Sequence, residues 1–575
     1  MKELLRGLKP YWLSVASVLV LIFLQSLSTV YLPRQMSDIV DIGVVRGDVP
    51  YILRVGALML LVSIAAAACS IIAGYLSSRV AAGFGRTLRS KVFTHVENFT
   101  LHEFDQIGTS SLITRTTNDI TQVQQLVNMM LRLMIRAPLT AVGGIIMAFY
   151  TDAKLAIVVV VVMPVLGLVI YLVYSRATAL FRTMQKKIDT LNRVVRENLT
   201  GIRVIRSFNR MDYEQARFDK ASFDLTNTAT KVNQTMASLT PAMMIVLNFS
   251  TIAIIWFGGI RIDHGAMQIG SLMAFIQYVT QILFAIMMVS MMFFVIPRAS
   301  ASAARINQVL QMVPEIQDPV HAKQANEVRG TVEFRHVTFS YPGAEHPAIE
   351  DVSFQARPGQ VTAIIGGTGA GKSTLVSLIP RFYEVDEGCI LVDGVDVREM
   401  SQKHLREKIG FVPQRAVLFS GTVAENLRYG NEHATEEEIR HAADVAQATS
   451  FVLEMQDGFD SNLDQGGMNV SGGQKQRLSI ARSLVRKPEI YVFDDSFSAL
   501  DFKTEAQLQS ALKSEVGDAT VVVVAQRVST VVDADQIIVL DGGRVVGMGS
   551  HSALLDSCQV YREIVSSQLA EGETA

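Results

Sequence analysis

The distribution of apolar residues divides the chain into two parts. Before about Pro297, apolar runs recur whose length approaches the roughly 20 residues that an α-helix needs to cross a bilayer, and beyond Glu315 there are none. The runs predict six membrane spans, near Trp12–Leu32, Ile52–Ser77, Met129–Tyr150, Leu155–Tyr174, Ala242–Gly259 and Gly270–Ile296. Six spans place both ends of this part of the chain on the same side of the membrane.

Two connections between the spans are long and helical in pattern. Residues Arg79–Asn128 and Ser175–Thr240 contain few Gly or Pro, and a helix that rises about 1.5 Å per residue would extend roughly 25 Å beyond the bilayer before it turns. Around the turn of the second connection, Phe208, Tyr213 and Phe218 stand among polar residues. Aromatic residues at such a tip are typical of side chains that enter a pocket on another surface, so we expect the tip to dock there.

The basic residues place these connections in the cytoplasm. Arg176–Lys231 contains twelve Lys and Arg residues, whereas the connections on the opposite side contain few, and cytoplasmic loops carry the excess of basic residues in membrane proteins. The first apolar run follows Lys2, Arg6 and Lys9. It exceeds the roughly 7–15 residues of a signal-peptide core, and no A-x-A-like cleavage site follows it. We therefore predict an uncleaved first span, a cytoplasmic N-terminus and a cytoplasmic location for the part beyond Glu315.

Composition agrees with a membrane protein. Hydrophobic residues make up 49% of the chain and charged residues only 18%, which favours membrane over soluble architecture. The net charge of −2 and the lack of a long basic run argue against nucleic acid as a partner. Cys69, Cys389 and Cys558 are far apart and form no CxxC motif, so we interpret them as reduced thiols.

The part beyond Glu315 carries two glycine-rich turns that open helices. GGTGAGKST at Gly366–Thr374 follows the β-rich run Val361–Ile365 and fits the phosphate-binding loop pattern. About a hundred residues later, the sequence of Val470–Asp501 is VSGGQKQRLSIARSLVRKPEIYVFDDSFSALD. It predicts a turn, an amphipathic helix and a short strand, Ile490–Phe493, that ends in two acids. An acid at the carboxyl end of a buried strand is where a doubly wound nucleotide domain holds its metal, so the sequence predicts binding of a nucleoside triphosphate.

The order of these motifs resembles the nucleotide-binding domain of an ABC transporter. The phosphate loop, Gln414 in FVPQ, VSGGQ, the strand acid and SALD follow one another as in that family. A phosphate loop alone occurs in many NTPases, whereas VSGGQ in this place narrows the choice to the ABC family. The resemblance implies a six-helix, all-α transmembrane domain of the type I ABC exporter kind, followed by an α/β P-loop ATPase domain with a parallel sheet. The expected bounds are 1–313 for the transmembrane domain, 314–330 for a linker and 331–570 for the nucleotide-binding domain.

The resemblance also implies ATP and Mg²⁺ and assigns roles to the motif residues. Lys372 would reach the outer phosphates, and Ser373, Gln414 and Asp494 would hold Mg²⁺. Tyr341, which lies 25 residues before the phosphate loop, would stack on adenine, with a packing aromatic as the alternative. The predicted nucleotide-binding residues come from the phosphate loop, this aromatic, FVPQ and the signature turn: Tyr341, Gly366, Gly367, Thr368, Gly369, Ala370, Gly371, Lys372, Ser373, Thr374, Gln414, Ser471, Gly472, Gly473 and Gln474.

The signature turn is a separate anion site from the phosphate loop. Ser471, Gly472 and Gly473 stand at their own helix N-terminus and form a second anion site. In the family this site grips the ATP held by the other subunit. One chain would therefore supply half of each of two ATP sites.

Two positions depart from the family pattern, and both belong to catalysis. The strand acid is followed by Asp495 where the family has a Glu that acts as general base, and Gln526 stands where the family has a switch His. The Asp side chain is one methylene shorter, and a misplacement of ~1 Å can reduce a rate on the order of 10²-fold. Gln can donate a hydrogen bond to the terminal phosphate but lacks the charge and proton of imidazole. We expect a site that binds ATP and hydrolyses it slowly.

A slow site with an intact signature motif suits a different partner. The paired departures are similar to the degenerate half of bacterial heterodimeric multidrug ABC exporters. The resemblance covers nearly the whole chain, including RVVRENLTGIRVIRSF, WFGG at Trp256 and RASASAARI at Arg298. It implies a second ABC half-transporter in which Glu and His are intact. The alternative is a homodimer in which Asp495 is an active base.

The expected activity is ATP-driven export of amphipathic, drug-like or lipid-like molecules across the cytoplasmic (inner) membrane. The last two spans carry a set of Met and Phe side chains that suit a surface adapting to varied apolar ligands, with gap filling between helices as the alternative: Met243, Met244, Met287, Met288, Met291, Met292, Phe284, Phe293 and Phe294. Two other classes of function stay open, an exporter of peptides and a membrane-bound sensor or regulatory protein without transport.

Overall fold

The computed structural model describes residues 6–323 and 330–573, apart from the side chains of residues 290, 291, 293, 294 and 569–573. Part of the linker expected at 314–330 lies outside the described residues, as do the side chains of Met291, Phe293 and Phe294. The chain forms two compact units. The first is Met1–Val96 with Ser110–Met312, and the second is Glu97–Thr109 with Val313–Ala575.

The first unit contains the predicted membrane helices. In the described part of the chain, six helices are long and apolar enough to cross a membrane: Arg6–Val44, Val49–Glu97, Thr109–Thr151, Ala156–Thr200, Met211–Asp263 and Ile269–Val289. Each predicted span falls on one of these helices. The prediction of an all-α transmembrane domain with six spans is therefore confirmed.

These helices are mostly α-helix with short turns of tighter or wider helix. The α-helices are Trp12–Asp38, Val49–Glu97, Leu101–Ile107, Thr109–Thr114, Ile120–Met129, Ile135–Thr151, Ala156–Thr200, Ile202–Ser207, Met211–Ala237, Leu239–Asp263 and Ile269–Gln311. Arg6–Tyr11 is a 3-10 helix. Ile39–Val44, Arg115–Asp119 and Met130–Met134 are π-helical turns.

Both long connections are helical, as predicted. The helix Val49–Glu97 has 49 residues and the helix Ala156–Thr200 has 45, so their lengths are roughly 74 and 68 Å at 1.5 Å per residue. A short helix closes each connection, Leu101–Ile107 in the first and Ile202–Ser207 in the second. The long helices therefore exceed the thickness of a bilayer's hydrocarbon core about twofold.

Two carboxylates join helices that are distant in sequence within the first unit. Asp119, only 2% exposed, accepts a hydrogen bond from Arg305 Nε at 2.7 Å. Asp41 accepts from the two backbone N–H groups that open the helix Ile269–Gln311, at 2.6 and 3.0 Å. A negative charge at a helix N-terminus is stabilising. Both contacts fix the last long helix to helices that lie much earlier in the sequence.

The second unit has twelve strands among its described residues. They are β1 Val332–Phe339, β2 Ile349–Ala356, β3 Val361–Gly366, β4 Glu387–Val392, β5 Val395–Asp396, β6 Ile409–Val412, β7 Gly421–Thr422, β8 Asn462–Leu463, β9 Ile490–Asp494, β10 Thr520–Val524, β11 Gln536–Asp541 and β12 Arg544–Gly549. β2-β1-β4-β5 form one antiparallel sheet and β7-β8 form a short pair. The central sheet has the order β12-β11-β3-β10-β9-β6.

Five strands of the central sheet, from β11 to β6, are parallel, and β12 joins antiparallel at the edge. All five residues of β9 and of β10 are buried. Alternate residues of β10 contribute to different cores, Val521 and Val523 to one and Val522 and Val524 to the other. A parallel sheet that is covered on both faces is the expected architecture of a doubly wound nucleotide domain.

Helices pack around these sheets. The α-helices are Lys372–Leu378, Gln402–Glu407, Val423–Arg428, Glu436–Val445, Thr449–Glu454, Gly472–Arg486, Phe502–Glu515, His551–Ser557 and Gln559–Glu573. Gly458–Asp460, Gln465–Gly467 and Val528–Thr530 are 3-10 turns. The loops after β3, β9 and β10 meet at the carboxyl edge of the parallel strands, where such folds bind ligands.

Candidate nucleotide-binding site

The phosphate loop is placed by β3 and by Gly366 and Gly371, which no other residue could replace without strain. β3 ends at Gly366, and the helix Lys372–Leu378 begins after Gly371, whose φ is +94°. A Cβ at Gly366 would overlap the carbonyl oxygen of Leu540 on β11. The close strand and the left-handed residue let the loop present backbone N–H groups at a helix N-terminus, which is a ready anion site.

A cavity of about 320 Å³ opens beside this loop. It is lined by nine of the predicted nucleotide-binding residues and by both predicted catalytic positions, Asp495 and Gln526. The nine are Tyr341, Thr368, Gly369, Ala370, Gly371, Lys372, Ser373, Thr374 and Gln414. Gly366, Gly367 and Asp494 do not line it, but the two glycines accept hydrogen bonds from Lys372 and Asp494 accepts one from Ser373. The signature residues Ser471, Gly472, Gly473 and Gln474 do not line the cavity.

Lys372 holds a positive charge against the loop. Its Nζ donates to the carbonyl oxygens of Gly366 at 2.9 Å and Gly367 at 2.8 Å. Burial lowers the pKa of Lys372, and the nearby carboxylates of Asp495 and Asp494 act in the opposite direction. The amine is thus fixed where the outer phosphates of a nucleotide would lie.

Ser373 and Asp494 meet as the predicted metal ligands should. Ser373 Oγ donates to Asp494 Oδ1 at 2.8 Å. Burial raises the pKa of Asp494, which is 5% exposed, and the hydrogen bond from Ser373 opposes that shift. Hydroxyl, carboxylate and amide oxygens are the ligands that Mg²⁺ takes, so the donor set Ser373, Asp494 and Gln414 fits this ion.

Asp495 lies between two glutamine side chains. Its Oδ2 accepts from Gln414 Nε2 at 3.0 Å and from Gln526 Nε2 at 2.8 Å. Its backbone has φ +48°, and its N–H donates to the carbonyl of Val524 at 3.0 Å. The two residues that depart from the family pattern are therefore hydrogen-bonded to each other. The sequence predicts each position but not this contact.

Tyr341 is both packed and accessible. Its ring lies edge-on to those of Phe339, at 5.1 Å between centroids, and Tyr383, at 5.5 Å. Its hydroxyl is hydrogen-bonded with Thr374 Oγ1 at 3.0 Å, and 38% of the residue is exposed. The contact with Thr374 ties the predicted adenine platform to the phosphate loop.

The signature turn is an exposed helix N-terminus. Ser471 Oγ accepts from Gln474 N at 3.3 Å, and Ser471 N donates to Gln474 Oε1 at 2.8 Å, which forms a capping box. A Cβ added to Gly472 would meet no atom within 4 Å. The capping hydrogen bonds are therefore made within the turn itself, and Gly472 is exposed to solvent.

Comparison with known proteins decides the family. The model of the ABC transporter transmembrane region matches residues 15–287, and the ABC transporter model matches residues 349–498. An uncharacterized ABC transporter ATP-binding protein of Mycobacterium tuberculosis is 47% identical over 565 residues, which cover 98% of this chain and 97% of that protein. The chain belongs to the ABC transporter family.

Other relatives of this ABC transporter specify its architecture. An ATP-dependent lipid A-core flippase of Chromobacterium violaceum is 30% identical over 570 residues, covering 99% of this chain and 97% of its own. The structure of a bacterial Atm1-family ABC exporter with ATP bound has a TM-score of 0.81 and 26% identity, and the match covers 96% of this chain and 98% of that one. The chain is therefore a multi-pass ABC exporter with fused transmembrane and ATP-binding domains.

The transporter's ATPase unit also has an apolar groove outside the nucleotide cavity. This groove, of about 540 Å³, is lined by residues that include Phe382, Phe411, Phe419, Tyr429 and Arg482. The Arg482 guanidinium lies over the rings of Phe419 and Tyr429, at 5.6 Å from each centroid. Tyr429 is 68% exposed. An exposed aromatic groove with a stacked guanidinium has the composition of a protein-docking surface.

Sequence reasoning missed residues that support the transporter's site from behind. Glu505, 4% exposed in the helix Phe502–Glu515, accepts from Thr530 Oγ1 at 2.6 Å and from Arg527 Nη1 at 3.2 Å, both on the loop that carries Gln526. Gln476 Nε2 donates to the backbone carbonyl of Gln414 at 3.3 Å. Glu505 lies on the buried face of an amphipathic helix. An acid at an apolar-face position is the sequence signal that could have revealed it, because buried acids need partners.

Proposed function

We propose that this chain is one half of a heterodimeric exporter, and that its own ATP site binds nucleotide and hydrolyses it slowly. The observation that carries the proposal is the contact between Asp495 and Gln526 at the place of the general base and the switch residue. Oδ2 of Asp495 already accepts two amide hydrogen bonds, so it is not free to take a proton from an attacking water. The shorter side chain also sets the carboxylate back from the place that a Glu base would reach.

Binding is supported by the groups that converge on the cavity. The backbone N–H groups of the phosphate loop and the Lys372 amine would hold the phosphates, and Tyr341 would pack on the adenine. Mg²⁺, held by Ser373, Asp494 and Gln414, would neutralise charge on the phosphate oxygens. Gln414 donates to Asp495 through Nε2, so its amide oxygen is left for the metal.

The partner follows from the signature turn. Ser471 and Gly472 are exposed, and neither lines the cavity of this chain. We infer that this turn completes an ATP site on a second half-transporter that carries Glu and His at the two positions. Hydrolysis then occurs mainly at the partner's site, with this chain supplying the anion-binding helix N-terminus.

Docking of the second connection is supported by its exposed tip. Phe208 is 74% exposed, Tyr213 63% and Phe218 40%. We infer that this tip, at Ile202–Ser207 and the residues after it, seats in an aromatic groove of the partner's ATPase unit like the one beside Arg482 here. Buried aromatic anchors dominate the energy of such contacts.

Export of amphipathic, drug-like or lipid-like molecules is the activity that these features favour. Relatives include proteins named lipid A-core flippases. Among the methionines of the last two spans, Met243 is 7% exposed and Met244 58%, so the set has both packed and open members, as an adaptable surface needs. The basic connections favour a cytoplasmic (inner) membrane location, with the N-terminus and ATPase unit in the cytoplasm.

Two measurements test this function. The chain purified alone should hydrolyse ATP at least ~10² times more slowly than the chain co-purified with a half-transporter of the same cell that carries Glu and His. Inverted membrane vesicles that contain the pair should accumulate an amphipathic dye when given Mg-ATP, and right-side-out vesicles should not. Equal turnover by the single chain would contradict the heterodimer, and uptake only by right-side-out vesicles would reverse the orientation.

A further inference from the structure

The C-terminal helix Gln559–Glu573 contacts the loop that carries Gln526. Gln568 Oε1 accepts from the backbone N–H of Val528 at 2.7 Å, and Gln568 Nε2 donates to the backbone carbonyl of Gln526 at 2.7 Å. One side-chain amide thus bonds the main chain on both sides of Arg527, in the way that a neighbouring strand would.

Gln568 lies on the face by which this helix packs. Tyr561 is fully buried, and its hydroxyl is hydrogen-bonded with His551 Nδ1 at 2.7 Å. Ile564 and Val565 pack, partly buried, against the same core. Positions 561, 564, 565 and 568 share one face of an α-helix. An aliphatic residue at position 568 would only pack there, whereas Gln bonds the loop with both ends of its amide.

The other hydrogen bonds described for this loop hold its side chains, the N–H of Ala525, or the carbonyls of Arg527 and Val528. Glu505 accepts from the side chains of Arg527 and Thr530, and Asp495 accepts from the side chain of Gln526. Gln568 holds the carbonyl of Gln526 and the N–H of Val528. A rotation of the backbone at these residues would swing the Gln526 amide, because a side chain follows its own Cα.

We propose that Gln568 is a positioning residue that orients Gln526 toward the terminal phosphate of ATP, so that the C-terminal helix sets the nucleotide preference of this chain's site. The proposal rests on the proposed function, with Gln526 at the switch position donating a hydrogen bond to the terminal phosphate. ADP lacks the phosphate that Gln526 would contact. Loss of the positioning should therefore weaken ATP binding and leave ADP binding unchanged.

Equilibrium binding to the full-length chain in lipid nanodiscs tests this. The probes are the Mg²⁺ complexes of ADP and of the non-hydrolysable β,γ-imido analogue of ATP. Gln568→Leu keeps the side-chain volume and removes both hydrogen bonds, so the preference for the ATP analogue over ADP should fall about three- to tenfold. The matched control is Gln559→Leu on the same helix, where Nε2 donates to Glu563 at 2.9 Å. That variant should keep the wild-type preference.

A double-mutant cycle separates positioning from a general effect on folding. In a Gln526→Ala background, Gln568→Leu should have no further effect on the preference, because Gln568 acts through Gln526. An undiminished effect in that background would overturn the proposal. So would equal losses of ATP and ADP binding in both Gln568→Leu and the milder Gln568→Ala. If Gln526→Ala alone leaves the preference unchanged, the role of Gln526 in the proposed function fails as well, and the cycle shows which assignment is at fault.

Discussion

Two glycine-rich turns open helices in the same ATPase unit, and their surroundings differ. Around the phosphate loop, side chains from several loops converge, and Lys372, Gln414, Asp495 and Gln526 line one cavity with it. At the signature turn, the side-chain hydrogen bonds of Ser471 and Gln474 run between these two residues. Both turns are glycine-rich helix N-termini. Side chains of the same chain surround the phosphate loop, whereas the signature turn is exposed.

Under the proposed function, this difference predicts that the signature turn acts on another molecule and the phosphate loop on this chain. Substitutions in the phosphate loop should act on the ATP bound to this chain and on the folding of this chain. Substitutions in the signature turn should leave the chain's fold and its own nucleotide unaffected and act on the partner. Three substitutions test this distinction, and they follow in decreasing order of expected effect.

The largest effect is expected for Gly472→Glu. A Cβ at this position would meet no atom of this chain within 4 Å, but in the proposed pair the carboxylate would lie against the terminal phosphate in the partner's site. Like charges a few ångströms apart repel by several kcal/mol in a shielded interface, so the ATPase rate of the purified pair should fall at least ~10²-fold.

Gly472→Gln is the matched control, because it has nearly the same shape without the charge. It should retain at least about ten times the activity of Gly472→Glu, since each 1.36 kcal/mol of repulsion is about tenfold in rate. Equal activity of Gly472→Glu and the wild type would place the signature turn outside any ATP site.

An intermediate effect is expected for Gly366→Ala. The methyl group would press on the carbonyl of Leu540 in the neighbouring strand, and overpacking of this kind costs about 1–3 kcal/mol. We expect a lower temperature of thermal unfolding and an ATP affinity reduced about tenfold, measured on this chain alone. Gly367→Ala, whose Cβ meets no atom within 4 Å, should unfold at the wild-type temperature. Similar unfolding of both variants would mean that the strand does not confine the loop.

The smallest effect is expected for Asp495→Ala. If the partner's site performs the hydrolysis, removal of an already poor base should change the ATPase rate of the pair by less than about twofold. The rate is measured under saturating Mg-ATP. A loss on the order of 10²-fold would show that Asp495 is the working base and that the two sites are equivalent.

Much of this architecture could be predicted from the sequence because its determinants are local. The six spans follow from apolar length, and the phosphate loop and signature turn follow from short motifs that fix a strand, a turn and a helix in order. Departures such as Asp495 and Gln526 can be recognised for the same reason, since each occupies a defined position in a motif.

Contacts between distant side chains could not be predicted in this way. The hydrogen bonds from Gln414 and Gln526 to one oxygen of Asp495 join residues 81 and 31 positions apart. Gln568 reaches Val528 across 40 positions. Such pairs depend on how the loops after three strands approach one another, which hydrophobic periodicity does not encode.

The short helix Leu101–Ile107 has a consequence for biosynthesis. It belongs to the ATPase unit, and its Glu103, 3% exposed, accepts from the backbone N–H of Glu315 at 2.9 Å. These residues are 212 positions apart, so a ribosome that adds about 5–20 residues per second makes the first roughly 10–40 s before the second. During that interval the helix has been synthesised, but the residues of the ATPase unit that it contacts have not. The contacts of this helix with the rest of its unit can therefore form only after the four later membrane spans have left the ribosome.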